Sequence, residues 1–408
     1  MYFKRQSGES ISNRFYKKVC RAILTEQSTM AGDGTEKATV IEGKEWYMAA
    51  YAPQGVPSSD HLKLRTVTIS LADDSIPDGH VAVELLWISV DPYLRSRMTG
   101  HQDGLYMPQF KIDESALKCM LMQVLVAFGV GRVIKSKDSR YSEGDIVLNP
   151  YFPIAEYCVM PSDSLIRKID VTAGIAIPDY LNALGAPGFA AWVGIVVLGE
   201  AKPGLNVFVS AAAGGVGMFA GQLAKLRGCR VIGSTGSDDK VKLLKEAFGY
   251  DDAFNYKRET DYDAALSKYF PNGIDVYLDN VGGKMLEAVL NHINIGGRIP
   301  LCGMISEYNK TWKERDGVRN LLNLVGKNVR MEGFLVGSYL NRFQDFLKEM
   351  EDYLLQGKII SKTKTYNGID SFLESLGSLF SSTNNGKVVI QVKVNDIYTK
   401  FLPKPSLS

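Results

Sequence analysis

The sequence predicts an α/β fold in which a doubly wound parallel sheet is joined to a second, β-rich part. Three observations predict it. From Val207 onward, apolar β-branched runs alternate with helical segments, and that alternation implies a parallel sheet. Between Leu64 and Ile169, short strands recur between turn signals, as in a small barrel-like domain. Where the two patterns meet stands Val207–Gly228, VFVSAAAGGVGMFAGQLAKLRG, which reads as a strand, a glycine-rich turn and a helix.

The chain has 408 residues, enough for two domains. Hydrophobic residues are 45% and charged residues 23%, as in an ordinary globular protein. A formal net charge of +2 gives no case for a nucleic-acid partner. No apolar run is long enough to span a membrane. Cys20, Cys119, Cys158, Cys229 and Cys302 lie far apart with no CxxC, so a reducing, cytoplasmic compartment is expected. The four histidines form no HExxH, and no metal site is expected.

Residues 1–38 differ from the rest. Lys4, Arg5, Arg14, Lys17, Lys18 and Arg21 outnumber Glu9 and Glu26, and Phe15, Val19 and Ile23 recur at helical spacing. A transit peptide, a disordered tail and an upstream extension of the gene are all compatible with this. Met30-Ala31 would serve as an ordinary start, and the segment is expected to be dispensable for catalysis. Folded sequence is expected from about Thr39. Strands are read at Leu64–Leu71, Val81–Val90, Phe128–Ile134, Ile146–Leu148, Ile154–Met160 and Leu165–Ile169, with Ile76-Pro77-Asp78-Gly79 as a turn. A helical crossover follows around Tyr180–Leu198.

Laid on GxGxxG, the central turn reads Ala212-Ala213-Gly214-Gly215-Val216-Gly217, with alanine at the first glycine. Gly214 would let the backbone approach a pyrophosphate, and Gly217 would let the helix, read as Met218–Arg227, pack on the strand. The free N–H groups and dipole of the helix start favour phosphate. The next strand, Cys229–Ser234, ends in Ser234-Thr235-Gly236-Ser237, without the acid that would bind a ribose 2′-OH. Ser237 suits the N-cap of a following helix, with Asp238 and Asp239 in its first turn. Lys240 comes next. An uncharged strand end beside a lysine suits an extra phosphate, which favours NADP(H) over NAD(H). A solvated helix lysine is the alternative reading.

Further on, the strand Ile274–Asp279 leads into Asn280-Val281-Gly282-Gly283 and a helix over about Lys284–Ile293. Gly296-Gly297 turns into the strand Arg298–Cys302. A helix is expected at Leu340–Gln356, and a last strand at Lys387–Val394 that returns to the β-rich part. Ligands of such sheets bind at the carboxyl ends of the strands. Ala213–Gly217, Asn280–Gly283 and Gly303–Tyr308 would all lie there.

With these motifs in view, the chain resembles the medium-chain dehydrogenase/reductases. It is most similar to the zinc-free branch of plant NADP-dependent 2-alkenal (double-bond) reductases and animal prostaglandin/leukotriene reductases. The resembling stretches are Asp91–Met98 (DPYLRSRM), Gly185–Ala191, Ser210–Gly217, Phe248–Tyr256, Phe270–Asp275, Asp279–Leu286 and Cys302–Asn309 (CGMISEYN). The match runs from about Ala38 to Val394. It implies a GroES-like catalytic domain over 39–177, a Rossmann domain over 178–345, a return to the catalytic domain over 346–408, and a homodimer.

Carried over position by position, the resemblance implies that NADPH touches Pro92, Tyr93, Gly214, Gly215, Val216, Gly217, Gly236, Lys240, Tyr256 and Asn280. It adds Cys302, Gly303, Met304, Ser306, Tyr308, Phe334, Leu335, Val336 and Asn385. Tyr93, Tyr106 and Tyr308 would border the substrate. Two stretches depart from the family pattern. Lys111–Val126 is longer than usual, either an insertion at the substrate mouth or a mispredicted exon. Asn149-Pro150-Tyr151-Phe152-Pro153 replaces a glycine/tryptophan segment.

The implied reaction is reduction of the α,β double bond of an enal or enone. With no zinc ligands, alcohol oxidation on a Lewis acid is not expected. Tyr308 would act as the catalytic donor toward the carbonyl oxygen, and Tyr93 would shape the pocket. A zinc-free quinone reductase and a catalytically silent NADP-binding sensor remain as alternatives.

Overall fold

The computed structural model of the chain describes residues 40–101, 107–112, 124–381 and 383–393. The expectations for residues 1–38, for Tyr106 and for the middle of Lys111–Val126 lie outside the described residues.

The strands from Val207 onward form one six-stranded parallel sheet. Its members are β8 (Asn206–Val209), β9 (Arg230–Thr235), β10 (Asp252–Asn255), β11 (Ile274–Leu278), β12 (Ile293–Leu301) and β13 (Arg330–Gly333). The spatial order β10-β9-β8-β11-β12-β13 places the first strand at the centre and reverses direction beside it. That reversal opens a crevice at the carboxyl ends of β8 and β11.

Both faces of this sheet are buried, which is why its strands read as continuous apolar runs. Val207, Val209, Val231, Val276 and Leu278 face one core with Met218, Phe219, Phe189 and Phe346. The intervening Phe208, Ile232 and Tyr277 face the other, with Leu266, Met285 and Val289. Neighbouring residues thus point to opposite sides, as the strand pleat requires.

The β-rich part holds β1 (Val40–Met48) and β2 (Leu62–Ser70), paired antiparallel. Beside them is a seven-stranded sheet of β3 (His80–Ser89), β4 (Val126–Ser136), β5 (Ile146–Pro153), β6 (Tyr157–Pro161), β7 (Arg167–Lys168), β14 (Thr363–Asn367) and β15 (Lys387–Gln391). The chain returns to it at the end: β15 pairs with β3, Val389 opposite Ser89. Its core is Trp46, Val81, Val83, Phe152, Phe372 and Ile390.

Several bounds differ from the sequence reading. The central helix starts at Gly215, not Met218, because Gly214 is its extended N-cap (φ −84°, ψ 178°). The two glycines after it therefore form the first turn. Gly217 needs to be glycine: a Cβ there would lie 2.5 Å from Ala212 Cα. β12 begins at Ile293, before Gly296-Gly297, and Gly296 enters it at φ +73°. The expected Leu165–Ile169 strand pairs only over Arg167–Lys168. The crossover is a 3-10 turn at Ile177–Leu181, a helix at Ala186–Trp192 and a π-helical stretch at Val193–Leu198.

Candidate active site

Ser210 follows β8 and starts the glycine turn. Ala211 takes a left-handed φ of +48°, and Ala212 N donates to Ser234 O on β9 at 3.0 Å. This bends the chain so that the helix Gly215–Leu226 points its amino end at the crevice. The first N–H groups of a helix have no partner within it and carry the positive end of its dipole. Gly386 N reaches over from the strand return to donate to Ala213 O at 3.1 Å. Lys387 runs beside Gly215, where a Cβ would lie 3.2 Å from Lys387 Cδ. Its buried ammonium bonds Val90 O at 2.7 Å and Asp91 Oδ1 at 2.9 Å. Asn385 precedes Gly386, and Pro92 and Tyr93 follow Asp91 in the chain.

At the end of β9, Ser237 caps the helix Asp238–Glu246, its Oγ accepting from Lys240 N at 3.4 Å. Lys240 is not the solvated helix lysine of the alternative reading: it is only 7% exposed. Burial, with the charge of Lys257 adding to it, pushes its pKa down to about 8. Asp238 is drawn away by Arg258 and by Asn255 Nδ2 at 2.9 Å. Ser234 Oγ, buried nearby in sequence, has no hydrogen-bond partner. A lysine pushed toward neutrality by burial, with a second lysine adding to it, is a site that gains from an anion. Gly236 is buried at this strand end, and Tyr256 N donates to Thr235 O at 3.0 Å.

The third wall is built around Asp279. Its Oδ1 accepts from Val281 N and Gly282 N, both at 2.8 Å, and lies 2.7 Å from Tyr277 Oη. Its Oδ2 is buried without a partner, and burial pushes the carboxyl pKa up. Its backbone oxygen accepts from Cys302 N at 2.8 Å and Gly303 N at 3.1 Å. Ser306 Oγ donates to Val281 O at 2.7 Å. Asn280 Nδ2 crosses to Ser210 O at 2.8 Å. The loop Cys302–Tyr308 is thus fastened to the end of β11.

Tyr308 curls back within this loop. Its Oη accepts from Met304 N at 3.2 Å, which occupies one lone pair and leaves the phenolic proton free to donate. Burial, with Cys302 and Asp279 adding to it, raises its pKa, so it stays protonated. Burial also holds the Cys302 thiol protonated, its pKa pushed up to about 12. Phe334, Leu335 and Val336 follow β13, with Phe334 N 3.3 Å from Leu301 O.

The structure therefore brings Gly214, Gly215, Val216, Gly217, Gly236, Tyr256, Asn280, Cys302, Gly303, Met304, Ser306, Tyr308 and Phe334–Val336 to the carboxyl ends of the parallel strands, with Lys240 in the helix after β9. Among the described residues, no three His, Cys, Asp or Glu side chains gather as a metal site. Sequence reasoning had given no role to Ser210, Arg95, Lys257 or Lys387. Only Ser210 carried a local signal, as the first residue of the turn.

Residues 215–352 match a family model described as a zinc-binding dehydrogenase, and residues 44–167 match one for the N-terminal domain of oxidoreductases. The chain is 40% identical over 358 residues to the NADP-dependent 2-alkenal reductase of Nicotiana tabacum, covering 87% of this chain and 99% of that protein. It is also 40% identical to the (+)-pulegone reductase of Mentha piperita, covering 86% of this chain and 99% of that one. The chain belongs to the medium-chain alkenal/enone reductases. Among solved members of similar fold is CurA of Vibrio vulnificus in complex with NADPH, at 30% identity and a TM-score of 0.75, covering 86% of this chain and 100% of that one. For a medium-chain reductase, the helix start at Gly214–Gly217 suits a pyrophosphate, and the buried Lys240 with Lys257 suits a 2′-phosphate.

Proposed function

We propose that the protein uses NADPH to reduce the α,β carbon–carbon double bond of 2-alkenals and enones. The observation that carries this reading is Tyr308, a half-buried, protonated phenol whose oxygen is already engaged by Met304 N. The relatives named above support it.

When bound, NADPH supplies a hydride for the β-carbon of the substrate. Charge then moves to the carbonyl oxygen, which becomes an enolate. Tyr308 donates a hydrogen bond to that oxygen and stabilises the developing charge. The loop Cys302–Tyr308, fastened at Asp279 and Val281, fixes the donor in advance, so little reorganisation is needed. Tyr93, half-buried against the core of the β-rich part, shapes the other side of the pocket. The α-carbon then takes a proton from solvent.

The division at 38, 177 and 345 belongs to this proposal, with β15 returning to β3 in its support. So does a homodimer, supported by β13 at the edge of the parallel sheet and by the exposed Leu322, Val325 and Leu340. A cytoplasmic location is also part of it. Among the described residues, no helix is long and apolar enough to cross a membrane.

The test is NADPH consumption against alkenals, enones and quinones, with product analysis. Saturated aldehydes and ketones from enals and enones are expected. Turnover of quinones alone would overturn the reading, as would NADPH binding without turnover of any of them.

A further inference from the structure

We propose that Arg95 is a positioning residue of the substrate pocket, clamping the loop that carries Tyr308 to the helix that carries Tyr93. The inference rests on the reading of those tyrosines as the two pocket walls.

Arg95 belongs to the single helical turn Tyr93–Ser96 and is fully buried. Its Nε donates to Gly55 O at 2.8 Å and to Asn309 Oδ1 at 2.9 Å. Gly55 N in turn donates to Asn309 O at 2.9 Å. Three segments far apart in the chain thus meet at one guanidinium: the 52–56 loop, the Tyr93 turn and the residue after Tyr308.

Among the described residues, no carboxylate pairs with this charge and its two terminal nitrogens are buried without acceptors, and burial pushes its pKa down to about 10. Burying an unpaired cation is costly. An apolar side chain of similar length would fill the space without that cost, but it could not hold two acceptors at once. What the guanidinium adds is the junction itself. Tyr308 is adjacent to Asn309 and Tyr93 is two residues before Arg95, so the junction sets the spacing of the pocket walls. Lysine, a point charge on a flexible stem, has no Nε–H fixed in a guanidinium plane to share between the two acceptors.

The experiment uses the full chain with NADPH and an enal. Arg95→Lys is expected to leave NADPH affinity within about twofold while slowing single-turnover hydride transfer by roughly tenfold or more, the scale of a small misplacement. Amide exchange across residues 303–309 should rise. Asn309→Ala removes the acceptor and keeps the guanidinium, so it reads the same clamp if the arginine variant does not fold. The double variant should be no slower than the slower single one, because both remove one interaction. Unchanged hydride transfer and unchanged exchange in both single variants would overturn the clamp. So would effects that multiply in the double variant. If the wild-type protein turns over no enal, the functional reading fails, and the exchange measurement still decides the clamp.

Discussion

Lys240 offers a test in which binding and titration must agree. In the free protein the residue is 7% exposed, and burial, with the charge of Lys257 adding to it, lowers its pKa to about 8. A 2′-phosphate would replace that repulsion with a charge-assisted hydrogen bond. Lys240→Ala should therefore weaken NADPH binding by about 1.5–3 kcal/mol, roughly 12- to 150-fold, and change NADH little. The pH dependence has a fixed sign. Below pH 8 the free lysine is already charged, and affinity should be flat. Above it the free lysine loses its proton while the phosphate complex retains one, so binding takes up a proton. NADPH affinity should then fall by up to about tenfold per pH unit between 8 and the bound-state value. NADH should show no such slope, and Lys240→Arg, always charged, should abolish it. Fluorescence titration of both cofactors from pH 6.5 to 9.5 measures this. Equal losses for NADPH and NADH in Lys240→Ala would refute the phosphate contact, and so would a wild-type pH profile matching that of Lys240→Arg.

Tyr308→Phe keeps the ring and removes the donor, so single-turnover hydride transfer should drop about tenfold to a hundredfold with NADPH affinity nearly unchanged. Tyr93→Phe should act mainly on the Michaelis constant of the substrate. Dialysis against a strong chelator should leave activity intact, and elemental analysis should find no stoichiometric zinc; loss of activity restored by zinc would overturn this. Gly217→Ala places a Cβ 2.5 Å from Ala212 Cα, so thermal or denaturant unfolding should show a loss of about 1–3 kcal/mol, together with weaker cofactor binding. A chain starting at Met30 should retain full activity toward small enals, and an insoluble or inactive product would place the extension within the fold.

The parallel sheet was legible because its signals are local. Each strand is an apolar run followed by a turn and a helix, and Ser237 stands where an N-cap must. The return of the chain at Lys387–Gln391 was also legible, since a β-branched run after the last helix has few places to pair, although the expected strand ran on to Val394. β1 was not: Glu42, Lys44 and Glu45 break its apolar pattern, and only pairing with β2 settles it as a strand. β10 and β13 are four residues each, too short for periodicity to speak. The helix start was misplaced because Gly215 and Gly217 have low helix propensity, which the close approach to Ala212 outweighs.

What the sequence concealed is how the site is tied together. The glycine turn and the CGMISEYN stretch are motifs, but the bonds that orient them join residues far apart. Asn280 reaches Ser210 across 70 positions, Arg95 reaches Asn309 across 214, and Lys387 reaches Val90 across 297. None of these bonds leaves a spacing that can be read in one dimension. Lys240 shows the same limit from another side: its position in the helix was readable, but its burial was not, since a lysine in a first turn is ordinarily solvated. Burial converts it from a surface charge into a cation with no counter-ion among the described residues, and so turns an ambiguous lysine into a candidate phosphate contact. Arg95 follows the same logic. Inside the motif DPYLRSRM it is one basic residue among two, and only its burial beside Asn309 gives it a role that Arg97, bonded to Pro108 O at 2.9 Å, does not share.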